Sequence, residues 1–308
     1  MKYTIFKLFF KKGLRIGNIH LDSNQIEISA DILFSAIVNE AASMGEEKCA
    51  EILELFMKDR LIISDAFPSI KDELFLPKPL ISNFEDSGDS NEKKAFKKLK
   101  FIPLSKWEEF INGKSNPDEL NQLFSNFGTS ELNTKIKHSI SGEHDIYNIS
   151  YFRFQANSGL YFLLGYELDS DYEKFEELLH DLSFTGIGGK KSSGWGSFVF
   201  IEIDTPKELL NRLNTPNSNM LLTTSMAKES ELKFIFEKDC SYRVSRRGGF
   251  IYTENKNAIN DNTKRKQTMH FFKSGSIFDK RFEGDIFEIG KGFSHSVYRY
   301  GKPMWLEV

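Results

Sequence analysis

Residues 2–10, KYTIFKLFF, place Phe6, Leu8 and Phe10 on one face at period two and Tyr3, Ile5 and Phe9 on the other. That pattern predicts a strand buried on both faces. Lys11 to Asn18 is a polar turn with two glycines. Ser29 or Asp31 is placed to cap a helix carrying Ile32, Leu33, Ala36, Ile37, Ala41 and Met44. Gly45 ends it. A second helix over about 46–58 sets Cys49, Ile52, Leu53, Phe56 and Met57 on one side, with Cys49 as a small core hydrophobe. Leu61 to Phe67 has the pattern of a strand.

Residues 74–104 break the rhythm. They carry Pro77 and Pro79, a polar run from Glu85 to Lys94, and a lysine-rich end before Pro103. This predicts an insertion projecting from the core. Short helices are expected at 105–112 and 117–126, strands at 131–140, 149–156 and 159–168, and an amphipathic helix at 171–182. A glycine-rich loop at 184–196 leads into a strand over 198–203. Pro206 and Pro216 bracket an Asn-rich, linker-like stretch. Beyond it, 220–226 is strand-like, 228–237 helix-like, and several short strands fill 240–307.

The strand–helix–strand, strand–strand–helix–strand order of the first part suits an α+β fold with a ferredoxin-like sheet and helices on one face. The second part is compatible with a degenerate copy. The expected division is 1–204, a linker at 205–218, and 219–308. Two domains also agree with the length of 308 residues.

Composition adds exclusions. With 41 basic and 44 acidic side chains the net charge is −3, so the chain is no uniformly basic nucleic-acid coat. Charge is nonetheless segregated. Lys2, Lys7, Lys11, Lys12 and Arg15 lie in the first 20 residues with no acid, whereas 21–60 and 166–181 each carry a net −6. A near-neutral total can therefore conceal a local basic groove. Cys49 and Cys240 are too few for a disulfide framework or a cysteine zinc site. No apolar run approaches the length of a membrane span, and the N-terminus lacks the features of a secretory signal. A reduced, cytoplasmic chain is expected.

The sharpest chemical signal is FTGIGGKKSSGWG at 184–196. Gly186, Gly188, Gly189, Gly194 and Gly196 surround Lys190, Lys191, Ser192 and Ser193. Glycines permit positive φ and expose N–H groups, lysines bring charge, and serines bring hydroxyls; a phosphate or a phosphodiester bend is the matching guest. The Walker pattern fails because Lys191 stands where Ser or Thr is needed. The dinucleotide fingerprint fails because the loop runs from helix to strand. A bulged helix–strand turn with no ligand is the competing reading. Gly189, between Gly188 and Lys190, is expected to let backbone approach a phosphate closely.

GIGGKKSSGWG before a strand resembles the glycine-rich signature of the RAMP superfamily of CRISPR effector subunits. ISADILFSAIVNEA (28–41), SDAFP (64–68), LPKPL (76–80), KAFKKLKFIP (94–103), SGSIF (274–278) and VYRYGKPMWLEV (297–308) extend the likeness over nearly the whole chain, to the family of fourth subunits of the type III-A Csm complex. Ser296 departs from the usual proline before VYRY. The resemblance implies two ferredoxin-like (RRM-like) domains with a projecting thumb, here 77–103. It implies binding of the 5′ handle of the CRISPR RNA, contact with the large polymerase/cyclase subunit and the adjacent RAMP backbone subunit, target RNA near the thumb, and no catalysis or cofactor. Gly186, Gly188, Gly189, Lys190, Lys191, Ser192, Ser193 and Gly194 would line the handle, with Lys11, Lys12 and Arg15 facing the same groove.

Other candidates are set against plainer roles. The six histidines show no metal-site spacing. His144-Asp145 is an isolated dipeptide expected to be solvated. His20, near the basic turn, is either an RNA contact or, in the alternative of a metal-independent RNA-processing endoribonuclease, the base that deprotonates a ribose 2′-OH. A small-molecule phosphate-binding enzyme is a poorer third reading. Ser245, Arg246 and Arg247, before Gly248-Gly249, offer phosphate donors or form a plain basic hairpin. Lys93, Lys94, Lys97, Lys98 and Lys100 with Phe96 and Phe101 form either an RNA-facing thumb element or a solvated face. VYRYGKP is expected to pack strands, with Arg299 within reach of the groove.

Overall fold

The computed structural model of the chain describes residues 1–17, 24–81, 90–138, 144–216, 219–249, 265–290 and 295–308. The chain opens on β1 (Lys2–Phe10), then the short paired strands β2 (Ile16–Gly17) and β3 (Asn24–Gln25). Helices α1 (Ala30–Met44) and α2 (Glu46–Met57) follow, separated by Gly45 at φ 135°. Next come β4 (Leu61–Ile63), β5 (Phe67–Ile70), β6 (Glu73–Pro77), α3 (Ser90–Lys98), β7 (Phe101–Pro103), α4 (Trp107–Ile111) and α5 (Pro117–Phe124). An antiparallel pair, β8 (Gly128–His138) and β9 (His144–Phe154), precedes β10 (Ser158–Tyr166), α6 (Asp169–Thr185) and β11 (Phe198–Asp204). The remainder holds α7 (Lys207–Leu213), β12 (Met220–Leu221), α8 (Glu229–Ile235), β13 (Cys240–Ser241), β14 (Val244–Arg247), β15 (Met269–Phe272), β16 (Ile277–Phe278), β17 (Ile286–Glu288), β18 (Tyr298–Tyr300) and β19 (Trp305–Leu306).

The fold is mixed α and β with antiparallel sheets. The main sheet runs β11-β1-β10-β5-β6-β7, and β4 also pairs with β10. β1 is flanked on both sides, with Phe6 opposite Phe162 of β10 and Phe10 opposite Phe198 of β11. Its even positions Phe6, Leu8 and Phe10 join Phe34, Ile37 and Phe56 of α1 and α2 and Phe175 and Leu178 of α6 in one core. Ile5 faces a second core on the opposite side of the sheet, with Tyr161, Leu163, Trp107, Met220, Leu222 and Leu306. Each large side chain so buried contributes about 1.5–3 kcal/mol relative to exposure. The C-terminal part thus covers the back of the main sheet, which is why β1 and β10 are apolar on both faces. It has a sheet of its own in the order β13-β16-β12-β19. Lys7 shares the back face of β1, where its ammonium donates to the Lys71 carbonyl at 2.7 Å and burial lowers its pKa.

Several expectations change. The strand foreseen over Leu61 to Phe67 is two strands, because Asp65 leaves the ladder: its carboxylate accepts from Ala30 N at 2.7 Å and from Thr224 N at 2.8 Å. Asp65 therefore caps α1, whereas Ser29, at the N-cap position, makes no capping bond and its hydroxyl donates to Asp31 instead. The insertion is shorter than 74–104, since Glu73–Pro77 and Phe101–Pro103 pair with each other in the main sheet. Its two ends are held together by Lys78 N donating to the Lys100 carbonyl at 2.9 Å. The stretch expected to be linker-like contains α7, whose Leu209 and Leu213 are buried. The strand expected over 220–226 pairs only at Met220–Leu221, with a further bridge from Ser225 to Phe272. Among the described residues, no helix is long and apolar enough to cross a membrane.

Candidate nucleic-acid interface

The glycine-rich loop is shaped by contacts its sequence does not reveal. Gly186, at φ 82°, ends α6, and its N–H donates to the Leu182 carbonyl at 2.7 Å. The chain then folds back on the turn after β1. Gly189 N donates to the Arg15 carbonyl at 2.9 Å, and Gly196 N donates to the Gly13 carbonyl at 3.1 Å. Gly13 and Leu14 are in turn set against β9, through reciprocal bonds between Leu14 and Phe152 at 2.8 Å. The basic turn is thus sandwiched between the glycine-rich loop and β9, a juxtaposition of residues about 175 positions apart in the chain.

Lys190 adopts the left-handed conformation at φ 64°, rare outside glycine. Lys191 to Ser193 form one 3-10 turn, closed by Gly194 at φ 76°. The backbone N–H groups of Lys190 and Ser192 have no acceptor among the described residues. Lys190 is exposed, with its ammonium 5.7 Å from the Tyr147 ring centroid. Lys12 reaches the same spot, its ammonium 3.4 Å from the Ser193 carbonyl oxygen. Trp195 lies edge-on to Tyr151 at 4.0 Å between centroids, which braces the loop against β9. Lys11, Lys12, Lys190, Ser192 and Ser193 all present exposed surface.

Two expectations are corrected. Arg15 does not face the groove: only 5% of it is exposed, its Nη1 donates to the Ser150 carbonyl at 2.6 Å, and burial lowers its pKa. It positions the loop. Gly189 is not the close-approach glycine, because its N–H is already spent on Arg15 and its φ is not positive. A Cβ there would rest at an ordinary 3.6 Å from Arg15 Cδ. The irreplaceable neighbours are Gly188 (φ 93°), where a Cβ would lie 2.3 Å from the Arg15 carbonyl oxygen, and Gly196, where it would lie 1.9 Å from that of Ile187.

The loop forms one wall of a pocket of about 600 Å³. Asp31, Ile32 and Ser35 of α1 form another, and Gly248, Lys266, Tyr298 and Arg299 of the C-terminal part close it. A second pocket, of about 590 Å³, lies between the insertion and β14; Lys98, Lys100, Arg246 and Lys273 ring it over Phe101, Phe124, Phe127 and Phe152. The arginine pair of β14 is split between different surroundings. Arg246 is exposed at the second pocket, while Arg247 approaches Asp31 at 3.8 Å. The Ser245 hydroxyl is buried without a hydrogen-bond partner among the described residues.

Of the insertion candidates, Phe101 is a core residue of β7, Phe96 packs on Phe110 at 6.1 Å, and Lys94, Lys97, Lys98 and Lys100 are exposed. His20 lies outside the described residues. His144 and Asp145 begin β9 rather than occupying a linker. Among the described residues, no three His, Cys, Asp or Glu side chains are grouped to hold a metal ion. Tyr147 and Lys266 carried no local sequence signal, since only the fold brings them beside the loop.

The family model of the RAMP superfamily matches residues 27–199, and that of the CRISPR Csm4 C-terminal domain matches 214–308. The chain is 32% identical over 319 residues to the CRISPR system Cms protein Csm4 of Streptococcus thermophilus, covering 100% of this chain and 99% of that one. It is 31% identical over 309 residues to the protein of the same name from Mycobacterium tuberculosis, covering 100% and 98%. In fold it is similar to a chain of the Csm3-Csm4 subcomplex of the type III-A CRISPR-Cas interference complex, with a TM-score of 0.69, 20% identity, and coverage of 100% and 99%. It is also similar to a chain of a Csm1-Csm4 cassette in complex with pppApA, with a TM-score of 0.63, 23% identity, and coverage of 100% and 98%. Both halves of the sequence, matched end to end at more than 30% identity, place the chain in the Csm4 family of RAMP-superfamily subunits of CRISPR effector complexes.

Proposed function

We propose that this chain is a non-catalytic RNA-binding subunit of a type III-A effector complex, acting in the cytoplasm. It clamps the 5′ handle of the CRISPR RNA and joins the large polymerase/cyclase subunit to the RAMP backbone subunit beside the handle. Target RNA passes near the insertion. The observation that carries the reading is the convergence of Lys11, Lys12, Lys190 and the open N–H groups of Lys190 and Ser192 on one exposed surface. That surface offers positive charge and open N–H donors, which suits holding phosphodiesters. The names of the similar structures, which pair Csm4 with Csm3 and with Csm1, support the two protein partners.

The reading includes two ferredoxin-like units. Strands β11-β1-β10-β4 and β19-β12-β16-β13 both run fourth, first, third, second in chain order, all antiparallel. That is the order of a βαββαβ fold, and in the second unit the final helix is replaced by the irregular region around β17 and β18.

The test is binding of the full chain to a repeat-derived RNA against a scrambled RNA of equal length, over a range of salt. Preferred binding of the handle, with a logarithmic salt slope of several phosphates, is expected. Equal affinity for both RNAs, or cleavage of the repeat RNA in EDTA, would overturn it.

A further inference from the structure

The pocket behind the glycine-rich loop contains more positive charge than its own residues neutralise. Arg299, on β18, is 6% exposed and lines the pocket; its Nη2 donates to the Gly248 carbonyl at 3.3 Å, while its Nη1 has no hydrogen-bond partner among the described residues. Arg247 stands beside it, and its Nε is also buried without a hydrogen-bond partner among the described residues. Lys266 lines the same pocket, half-buried. Among the described residues, the acid facing this group is Asp31, 3.8 Å from Arg247. One carboxylate against three cations leaves a net positive charge in a desolvated place, which is costly unless an anion completes it. Burial lowers the pKa of both Arg299 and Lys266, and the neighbouring Arg247 and Arg299 cations add to this.

We infer that this pocket seats one phosphate group of the bound RNA strand, gripped by Arg299 and Lys266 with Arg247 behind them, where the strand leaves the glycine-rich loop for the C-terminal part. The inference rests on the RNA-binding reading above. A guanidinium with a free edge suits a phosphate oxygen, and the adjoining loop lysine Lys190 lines the same pocket.

The experiment uses the full chain and the variants Arg299→Met and Lys266→Met, the latter at a half-buried position. Thermal unfolding is followed with and without inorganic phosphate. Repeat RNA binding is then measured with single methylphosphonate linkages placed in turn along the handle. Phosphate is expected to raise the wild-type midpoint and to lose that effect in both variants. Without phosphate, Arg299→Met should melt no lower than wild type, because a buried unpaired charge is removed. One neutralised linkage should weaken wild-type binding roughly ten- to hundredfold, the loss of a hydrogen bond to a charged group, and leave the variants nearly unaffected. The inference fails if every linkage behaves alike in wild type and variants, or if Arg299→Met melts lower and still responds to phosphate. A phosphate response lost in the variants without any binding of repeat RNA would instead overturn the RNA reading and assign the pocket to a free anion.

Discussion

Asp65 and Thr224 lie 159 positions apart, yet the Asp65 carboxylate accepts from both the backbone N–H and the hydroxyl of Thr224, at 2.8 and 2.7 Å. The same carboxylate accepts from Ala30 N at the start of α1. One fully buried acid thus ties the helix over the main core to the chain segment that enters the C-terminal sheet.

Burial pushes the Asp65 pKa up to about 6, against the opposing hydrogen bonds from Thr224 and Ala30. The unfolded value is about 3.9, so between roughly pH 4 and 6 the folded chain binds more protons than the unfolded one. Stability from this group is therefore greatest below about pH 4 and falls as pH rises to about 6, by about 3 kcal/mol in all. Asp65→Asn keeps an acceptor for both N–H groups and should remove that pH dependence. Asp65→Ala leaves buried donors unpaired and should destabilise at every pH, by roughly 2–4 kcal/mol. Denaturant unfolding at a series of pH values checks both.

Gly188→Ala and Gly189→Ala should behave oppositely. At Gly188 the new Cβ meets the Arg15 carbonyl and the positive φ is disfavoured, so the loop must leave its seat and handle binding should fall roughly five- to thirtyfold, the equivalent of about 1–2 kcal/mol. At Gly189 the Cβ finds only van der Waals contact, and affinity should stay within about twofold of wild type. Fluorescence anisotropy with labelled handle RNA distinguishes the outcomes; equal losses in both variants would mean the loop is seated differently.

Lys190→Ala combined with Lys191→Ala tests charge rather than shape. Stability should change by less than about 0.5 kcal/mol, because neither lysine belongs to the buried core. The salt slope of RNA binding should drop by up to about 1.4, at roughly 0.7 per single-strand phosphate contact. An unchanged slope would remove the two lysines from the interface.

Arg60 and Asp171 give a stability prediction away from the site. Asp171 is fully buried and receives two bonds from the Arg60 guanidinium, at 2.9 and 2.5 Å. Arg60→Ala strands that carboxylate and should cost roughly 3–5 kcal/mol. Arg60→Lys, which keeps the charge but not the fork, should lose part of that. Calorimetric or denaturant unfolding of both variants measures the difference; a loss below about 1 kcal/mol in Arg60→Ala would show that water replaces the pair.

Elements with a local signal were legible in the chain alone. The alternation in KYTIFKLFF marked a strand buried on both faces, and Ile5 and Phe6 do enter opposite cores. Helical spacing marked α1, α2 and α6, and glycines with lysines and serines marked the loop at 184–196. Where each of those residues points depends on long-range packing. Arg15 looks like Lys11 and Lys12 in the sequence, but β9 supplies the Ser150 carbonyl that draws its guanidinium inward. Gly188 and Gly189 are indistinguishable as letters, and the carbonyl of Arg15 makes one irreplaceable and the other ordinary. Asp65 sat within an apparent strand, and the donors that pull it out come from positions 30 and 224. Periodicity reports burial along a single element. Hydrogen-bond partners and counter-charges, such as Asp31 for Arg247, come from distant segments that only folding brings together.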